Sequence, residues 1–261
     1  MLEKNSKKQA GIQSVKRAFS IIEYLCKTQI PASVIDISNA TGIQRTTIYG
    51  LLNELLEDGY VAQSSIKNKY VISGKLYGMS YSYPNRLPVV RCADDYMREL
   101  VEQFDVTAHL GVLNADNSVL LVNVQFPTGR KNISSGSVFP IHASANGKVL
   151  LAYMDRNRLE KALEQCSYTR YTKNTIVDRA KLMDEIDKIR NQGYGMDVEE
   201  FVEGTVCIGF PIFGENGEIV ASMSLSGNKS SVFDRKEEIV NIGINASKHC
   251  SNELGWPIYR K

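Results

Sequence analysis

With 261 residues, 43% of them hydrophobic, and a formal net charge of +2, the chain is long enough for one large or two ordinary domains with proper cores. No run approaches the ~20 apolar residues that cross a bilayer, and the polar start MLEKNSKKQA lacks the apolar stretch of a secretion signal, so a cytoplasmic protein without a membrane partner is expected. Cys26, Cys92, Cys166, Cys207 and Cys250 are scattered, with no CxxC pair and no histidine at zinc-finger spacing, which points to neither a disulfide framework nor a metal site.

The charge is unevenly divided. Residues 1 to 83 carry ten Lys/Arg against six Asp/Glu, a balance of +4, and residues 84 to 261 carry twenty-one against twenty-three, a balance of −2. The basic end is the front third, modestly enough that any inference about nucleic acid has to rest on motif.

Residues 1 to 11, with Lys4, Lys7 and Lys8, read either as a mobile arm or as an ordinary frayed terminus. A first helix follows, with Ser14 as its expected cap and Val15, Ala18, Phe19, Ile22 and Leu25 as its expected apolar face. Ser33 stands three residues before Asp36, the spacing of a capping box, and opens a second helix through Val34, Ile37 and Ala40. Thr41-Gly42 then turns the chain, because glycine takes the left-handed conformation past a helix end without a Cβ clash.

A third helix is expected from about Gln44 to Asp58, with Ile48, Leu51, Leu52, Leu55 and Leu56 at core spacing. Its first turn presents Gln44, Arg45, Thr46, Thr47 and Tyr49, the donors and acceptors that a recognition helix offers to base edges and phosphates. Two strand-like runs, Tyr60 to Gln63 and Lys69 to Ile72, flank a polar tip, and Lys67 and Lys69 make the hairpin a basic wing. Three helices and a wing form a domain ending near Ser73.

Gly74 to Tyr83 reads either as a short linker helix that pairs with its twin in a dimer or as an irregular linker. Beyond Pro88, a helix from about Val89 to Phe104 leads into a mixed domain. Val106, Ala108, Leu110 and Val112 alternate as in a half-buried strand, turning at Asn114 to Asn117 into a strand from Val119 to Val124. Helices are expected over 145 to 154, 156 to 165 and 178 to 192, and a second hairpin joins Thr205–Phe213 to Glu218–Leu225. A last helix carries Ile239, Ile242, Ala246 and Cys250, and an antiparallel sheet with helices packed on it follows, an α+β architecture.

Within the second hairpin, Cys207 and Gly209 share one face, and Ser222, Ser224 and Ser226 line one face of the partner strand. Facing inward, such small polar groups leave a hollow for a polar ligand; facing outward, they are plain solvated sheet. The stretch Pro140 to Lys148 enters a helix whose first backbone N–H groups suit a carboxylate. Asp197 follows Gly193-Tyr194-Gly195 and serves either a ligand hydroxyl or a turn.

With these motifs in place, the chain resembles the IclR family of bacterial transcriptional regulators along nearly its whole length. The resemblance rests on SVKRAFSIIEYL (14–25), ATGIQRTTIYGLLNELLEDGYV, FPIHASANGKVLLAYM (139–154), TIVDRAKLMDEIDKIRNQGYGMDVEEFVEGTVCIGFPIF (175–213) and ASMSLSG (221–227). It implies a winged helix-turn-helix domain over 1–73, a linker over 74–88, and a GAF-like effector-binding and oligomerisation domain over 89–261. Expected partners are double-stranded operator DNA, a small organic acid and further copies of the chain, as a dimer or a dimer of dimers.

The resemblance implies a regulator of catabolic genes, with a repressor as the expected sign and an activator or a redox-sensing regulator using Cys207 as alternatives. Its implied DNA-binding residues are Arg17, Gln44, Arg45, Thr46, Thr47, Tyr49, Lys67 and Lys69. An effector carboxylate would meet the helix start at Ala145 and Asn146, with Phe139, Asp197, Cys207, Ser224 and Ser226 completing the pocket. Relatives often carry glycine or another small residue where this chain has Ala145-Asn146, and Asn146 adds a side-chain amide.

No cofactor and no catalysis are expected. Cys207 with His142 is the one nucleophile–base pairing to entertain, His109 and His249 read as packing or surface, and no HExxH, GxSxG, P-loop or dinucleotide fingerprint occurs.

Overall fold

The computed structural model describes residues 12–28, 30–128 and 133–256, so the lysine-bearing stretch 1–11 lies outside the described residues. The chain divides into two compact units between Tyr83 and Pro84.

The first unit runs α1 (Gln13–Lys27), β1 (Ala32–Ser33), α2 (Val34–Thr41), α3 (Arg45–Glu57), β2 (Val61–Gln63), β3 (Lys69–Ile72) and α4 (Gly74–Tyr81). β3 pairs antiparallel with both β1 and β2, closing a three-stranded wing. The expected capping box forms: the Ser33 amide donates to Asp36 Oδ2 at 2.8 Å and the Asp36 amide returns a bond to Ser33 Oγ at 3.3 Å. Gly42 is left-handed at φ 70°, and Ser38 Oγ donates to the Ile43 carbonyl at 2.7 Å across the turn.

Helix α1 departs from expectation. Its N-cap is Ile12, without a side-chain cap, and Ser14 lies inside the helix. Its buried residues are Ile21 and Leu25, whereas Val15 and Phe19 are exposed. The C-terminal half of the expected face holds, with Leu25 buried and Ile22 packed against the core, while Ile21 rather than Phe19 carries the stripe inward. Ile21, Leu25, Val34, Ile37, Ile48 and Leu52 form the centre of this core.

The second unit begins with a single 3₁₀ turn, Pro84–Arg86, followed by α5 (Pro88–Phe104), β4 (Thr107–Leu113), β5 (Val119–Gln125), β6 (Val138–Phe139), α6 (Ala145–Tyr153), α7 (Arg156–Gln165) and α8 (Arg179–Gln192). It continues with β7 (Gly195–Val198), β8 (Thr205–Phe213), β9 (Ile219–Asn228), α9 (Lys229–Asp234) and α10 (Lys236–Glu253). One sheet, ordered β6-β5-β4-β9-β8-β7, is antiparallel throughout. The short β6 and α9 were not anticipated; at two and six residues they leave too little pattern to read.

The expected half-buried strand at β4 is instead buried along its length from Ala108 to Val112. Helices cover both faces of the sheet. On one side α5 and α10 pack Met97, Leu100 and Ile239 against Leu110, Phe210, Met223 and Leu225. On the other lies α6, whose residues Ala145 to Ala152 are all buried between the sheet and a cover formed by α7 and α8. An antiparallel sheet usually keeps one face wet, and that prior is what the second helical layer overrides.

Helix α6 reaches the sheet where side chains are missing. A Cβ on Gly209 would sit 3.0 Å from the Ala145 carbonyl oxygen, and one on Gly195 would stand 2.8 Å from the Val149 side chain. At the helix itself, a Cβ on Gly147 would lie 2.2 Å from the Ile141 carbonyl oxygen, a backbone atom that has nowhere to go. Gly147→Ala is therefore expected to cost about 1 to 3 kcal/mol through overpacking. Urea unfolding followed by Trp256 fluorescence reports this unit, since Trp256 is the single tryptophan and packs on Phe213 at 5.2 Å. Gly50→Ala in α3, with open space around it, should leave that transition where it is.

Candidate functional site

The structure presents two sites, one in each unit. In the first, Gln44 is the N-cap of α3 and places no side-chain bond on its own helix, and no acidic residue occupies the first turn. Gln44, Arg45, Thr46 and Tyr49 are exposed and Thr47 is half-buried, so one helix turn offers them together to solvent. Among the described residues, no hydrogen bond or ion pair engages the Arg45 or Lys67 side chain. A helix N-terminus also favours the negative charge of a phosphate.

The wing divides its lysines. Lys67 is exposed at the tip, where Asn68 turns left-handed at φ 60°. Lys69 instead stands opposite Ser33 in the β1–β3 ladder and is half-buried. The carboxyl of Asp36 is held below its ordinary range by the Ser33 backbone and side-chain bonds, with a smaller contribution from Lys69. Arg17 sits half-buried on α1, away in sequence from the α3 group.

In the second unit, the register of the sheet builds a polar floor. Asp197, Cys207 and Ser226 lie across one row of β7, β8 and β9; Gly195, Gly209, Ser224 and His109 lie across the next. Helix α6 covers the glycine-bearing part of this face and starts beside the remainder. A cavity of about 200 Å³ is left there, lined by Phe139, Ala145, Asn146, Asp197, Cys207, Ser224 and Ser226 together with His109, Ile133, Ser144, Phe201, Val202 and Thr205. All seven residues singled out in the sequence for this site meet in it. The serine face thus points inward, and Ser222 Oγ next along the strand donates to Asn146 Oδ1 at 2.9 Å.

The helix start is polar by construction. Ser144 caps α6, its Oγ receiving the Gly147 amide at 3.2 Å and donating to the Pro140 carbonyl at 2.7 Å. The amides of Ala145 and Asn146 precede the first intrahelical bond, and both residues line the cavity. Asp197 acts as a turn cap, its Oδ1 accepting the Glu200 amide at 2.7 Å, and the residue also lines the cavity. Burial pushes that carboxyl up to about 7, against the opposing pull of the Glu200 amide and the Lys148 charge.

Cys207 is half-buried beside Asp197, and desolvation, followed by the Asp197 charge, raises its thiol well above the ordinary value. The raised value favours the thiol, the less reactive form, over the thiolate. His142 does not join it. Its Nε2–H donates to the Thr169 carbonyl at 3.0 Å and its ring lines a separate groove with Tyr171 and Pro140. His249 is exposed on α10, stacked 6.1 Å from Tyr96, as a surface residue. His109, by contrast, is a wall of the cavity rather than packing or surface.

One element behind the site escaped the sequence reading. Lys148, fully buried in α6, forms an ion pair with Glu200, and Glu185 stands 4.0 Å from its amine. The Thr172 and Thr175 hydroxyls both reach the Glu200 carbonyl, at 3.3 Å and 2.6 Å. The segment carrying Phe201 and Val202 is thereby tied to the helix whose start borders the cavity. A lysine at helical spacing amid apolar residues is the signal that was available.

These features define the class: a winged helix-turn-helix transcriptional regulator with a ligand-sized cavity in a second, α+β unit. The C-terminal model of the bacterial transcriptional regulator IclR matches residues 81–252 and the IclR helix-turn-helix model matches 14–65. The chain belongs to the IclR family, and its homologues are DNA-binding regulators of transcription. It is 31% identical over 255 residues to the regulator KdgR of Dickeya chrysanthemi, covering 97% of this chain and 83% of that one. It is 30% identical over 223 residues to the transcriptional repressor AllR of Escherichia coli K12, covering 85% and 82%. The crystal structure of the Thermotoga maritima IclR superposes with a TM-score of 0.76 at 26% identity, over 94% and 99% of the two chains.

The raised Asp197 has a measurable consequence. The folded protein keeps its proton up to about pH 7, whereas the unfolded chain releases it near pH 4. The ligand-free wild type therefore loses stability as pH rises through that window, and Asp197→Asn removes this part of the loss. Between pH 5 and pH 8 the wild type should lose roughly 2 kcal/mol more than the variant in denaturant unfolding. Identical pH profiles would show that Asp197 ionises normally.

Proposed function

We propose that the protein is an operator-binding repressor of catabolic genes whose affinity for DNA is switched by a small organic acid held in the cavity at the start of α6. In this reading residues 1–73 form the DNA-binding domain, 74–88 the linker, and 89–261 the effector-binding and oligomerisation domain. The observation that carries it is the convergence of Phe139, Ala145, Asn146, Asp197, Cys207, Ser224 and Ser226 on one cavity of about 200 Å³. The similarity to the AllR repressor supports the sign of regulation.

Among the described residues no lysine or arginine lines the cavity, and a carboxylate there is met by first-turn amides, hydroxyls and the Asn146 side chain. A protonated Asp197 is a donor rather than a competing charge. Two copies acting together would place two α3 helices in successive major grooves of a two-fold operator, with half-sites about 34–36 Å apart or a multiple of that. The acid then prefers one arrangement of the paired chains, and operator affinity follows the population.

Contact roles within the first unit differ accordingly. Gln44, Arg45, Thr46, Thr47 and Tyr49 read base edges and phosphates, while Arg17, Lys67 and Lys69 add sequence-independent attraction. Arg45→Ala should weaken binding to a duplex selected from a random pool by about 1 to 3 kcal/mol and relax its base preference. Lys67→Ala should weaken every duplex alike and reduce the slope of log affinity against log salt by about one. Fluorescence anisotropy on selected and scrambled duplexes checks both, and equal losses on the two duplexes for Arg45→Ala would reject base reading. In thermal unfolding of the full chain, one or more small carboxylic acids should raise the melting temperature, and Asp197→Ala and Ser224→Ala should abolish that rise. Unchanged acid affinity in both variants would place the ligand elsewhere.

A further inference from the structure

The His109 imidazole is a buried polar group whose hydrogen bonding is incomplete. On β4 it stands opposite Ser224 of β9, and its Nδ1 lies 3.4 Å from Ser224 Oγ. Its Nε2 is buried and has no partner among the described residues, although the ring borders the cavity. Phe139 packs edge-on against it at 6.1 Å and orients the ring. A buried nitrogen without a partner is rare enough to require an explanation, and here it belongs to a residue that lines the space a ligand would fill.

The ring's state limits what it can hold. Burial pushes His109 down to about 4, so at neutral pH it is uncharged, with one N–H and one lone pair. It therefore supplies no countercharge to a carboxylate, and the start of α6 already supplies the donors an acid group needs. An uncharged oxygen suits it better. A hydroxyl in particular both donates and accepts, and so satisfies Nε2 whichever nitrogen carries the proton.

Resting on the acid-binding reading of the cavity, we infer that His109 is a specificity-determining residue: its Nε2 hydrogen-bonds a hydroxyl of the bound acid, and the cavity thereby selects hydroxy acids over alkanoic acids of equal length. A pocket that leaves a buried nitrogen unpaired rejects the analogue lacking the hydroxyl far more strongly than a hydrophobic pocket rejects a missing methylene. Ser224, bonded to the same ring, is a positioning residue for it.

The test uses the full chain and calorimetric titration with straight-chain hydroxy acids of about three to six carbons, sizes that suit a pocket of this class, each paired with the alkanoate of the same length. In the wild type at least one hydroxy acid should bind tenfold or more tighter than its alkanoate. His109→Leu should bring that ratio to near unity without weakening the alkanoate, and His109→Gln, which keeps a donor and an acceptor, should restore most of it. On wild-type protein, the His109 Nε2 nitrogen resonance should shift on saturation with the tightest hydroxy acid, a readout that needs no variant to fold. A hydroxy-acid preference unchanged in His109→Leu, alkanoates binding the wild type as tightly as hydroxy acids, or an Nε2 resonance that does not move would each overturn the inference while leaving the acid-binding reading in place. Failure of both series to bind the wild type would overturn the acid-binding reading and the inference with it.

Discussion

The second unit depends on how closely α6 approaches the sheet. Side chains at Gly195 and Gly209 would collide with the helix, and one at Gly147 would collide with the chain leading into it. Their absence lets a wholly buried helix settle on one half of a sheet face while its first turn stops beside the other half. The uncovered half carries Asp197, Cys207, Ser224, Ser226 and His109 by strand register. The cavity is thus a product of where the helix begins. Its polar floor is fixed by the same contact, and the segment carrying Phe201 and Val202 completes its wall.

A buried ion pair adds a second constraint. Lys148 lies three residues into α6 from Ala145, and its partner Glu200 lies next to Phe201, so the helix start and the segment closing the cavity are tied by one charge pair. Removing one partner of such a pair leaves an uncompensated buried charge, typically at a cost of about 3 to 5 kcal/mol. The pair is coupled to Asp197 as well, since the Lys148 charge pulls that carboxyl down while Glu200 pushes it up. A ligand that draws on Asp197 would therefore act on the same charges that hold the closing segment. That gives the proposed switch a physical starting point in the electrostatics of this segment.

Much of this was readable before any coordinates. Periodicity located α2, α3, α5, α8 and β8 within a residue or two, β9 runs three residues past its expected end to Asn228, and the Ser33–Asp36 spacing and Gly42 turn followed from capping chemistry alone. The two-residue period put Cys207 and Ser222, Ser224 and Ser226 on faces that the structure joins. What periodicity lacks is direction. It found a helical stripe on α1 but chose Val15 and Phe19 over Ile21, and it could not say that both faces of β4 are covered, because burial by a second helical layer is set by distant chain. His109 was passed over for the same reason: a lone histidine in an apolar strand is ordinary packing until the strand beside it brings Ser224 and an open cavity to its ring. The Lys148–Glu200 pair joins residues 52 positions apart, a separation that no local pattern reports.

The central claim is that acid binding at the start of α6 and DNA binding at the start of α3 are two readings of one equilibrium. The most direct measurement is reciprocal: the affinity of the full chain for a selected operator duplex, with and without saturating acid, and the affinity for the acid, with and without saturating duplex. Linkage requires both ratios to be the same, and coupling of this kind commonly amounts to about 5- to 150-fold. The account predicts equal ratios well above unity, with acid and duplex each weakening the other. An acid that binds the free and DNA-bound chain equally tightly would contradict it.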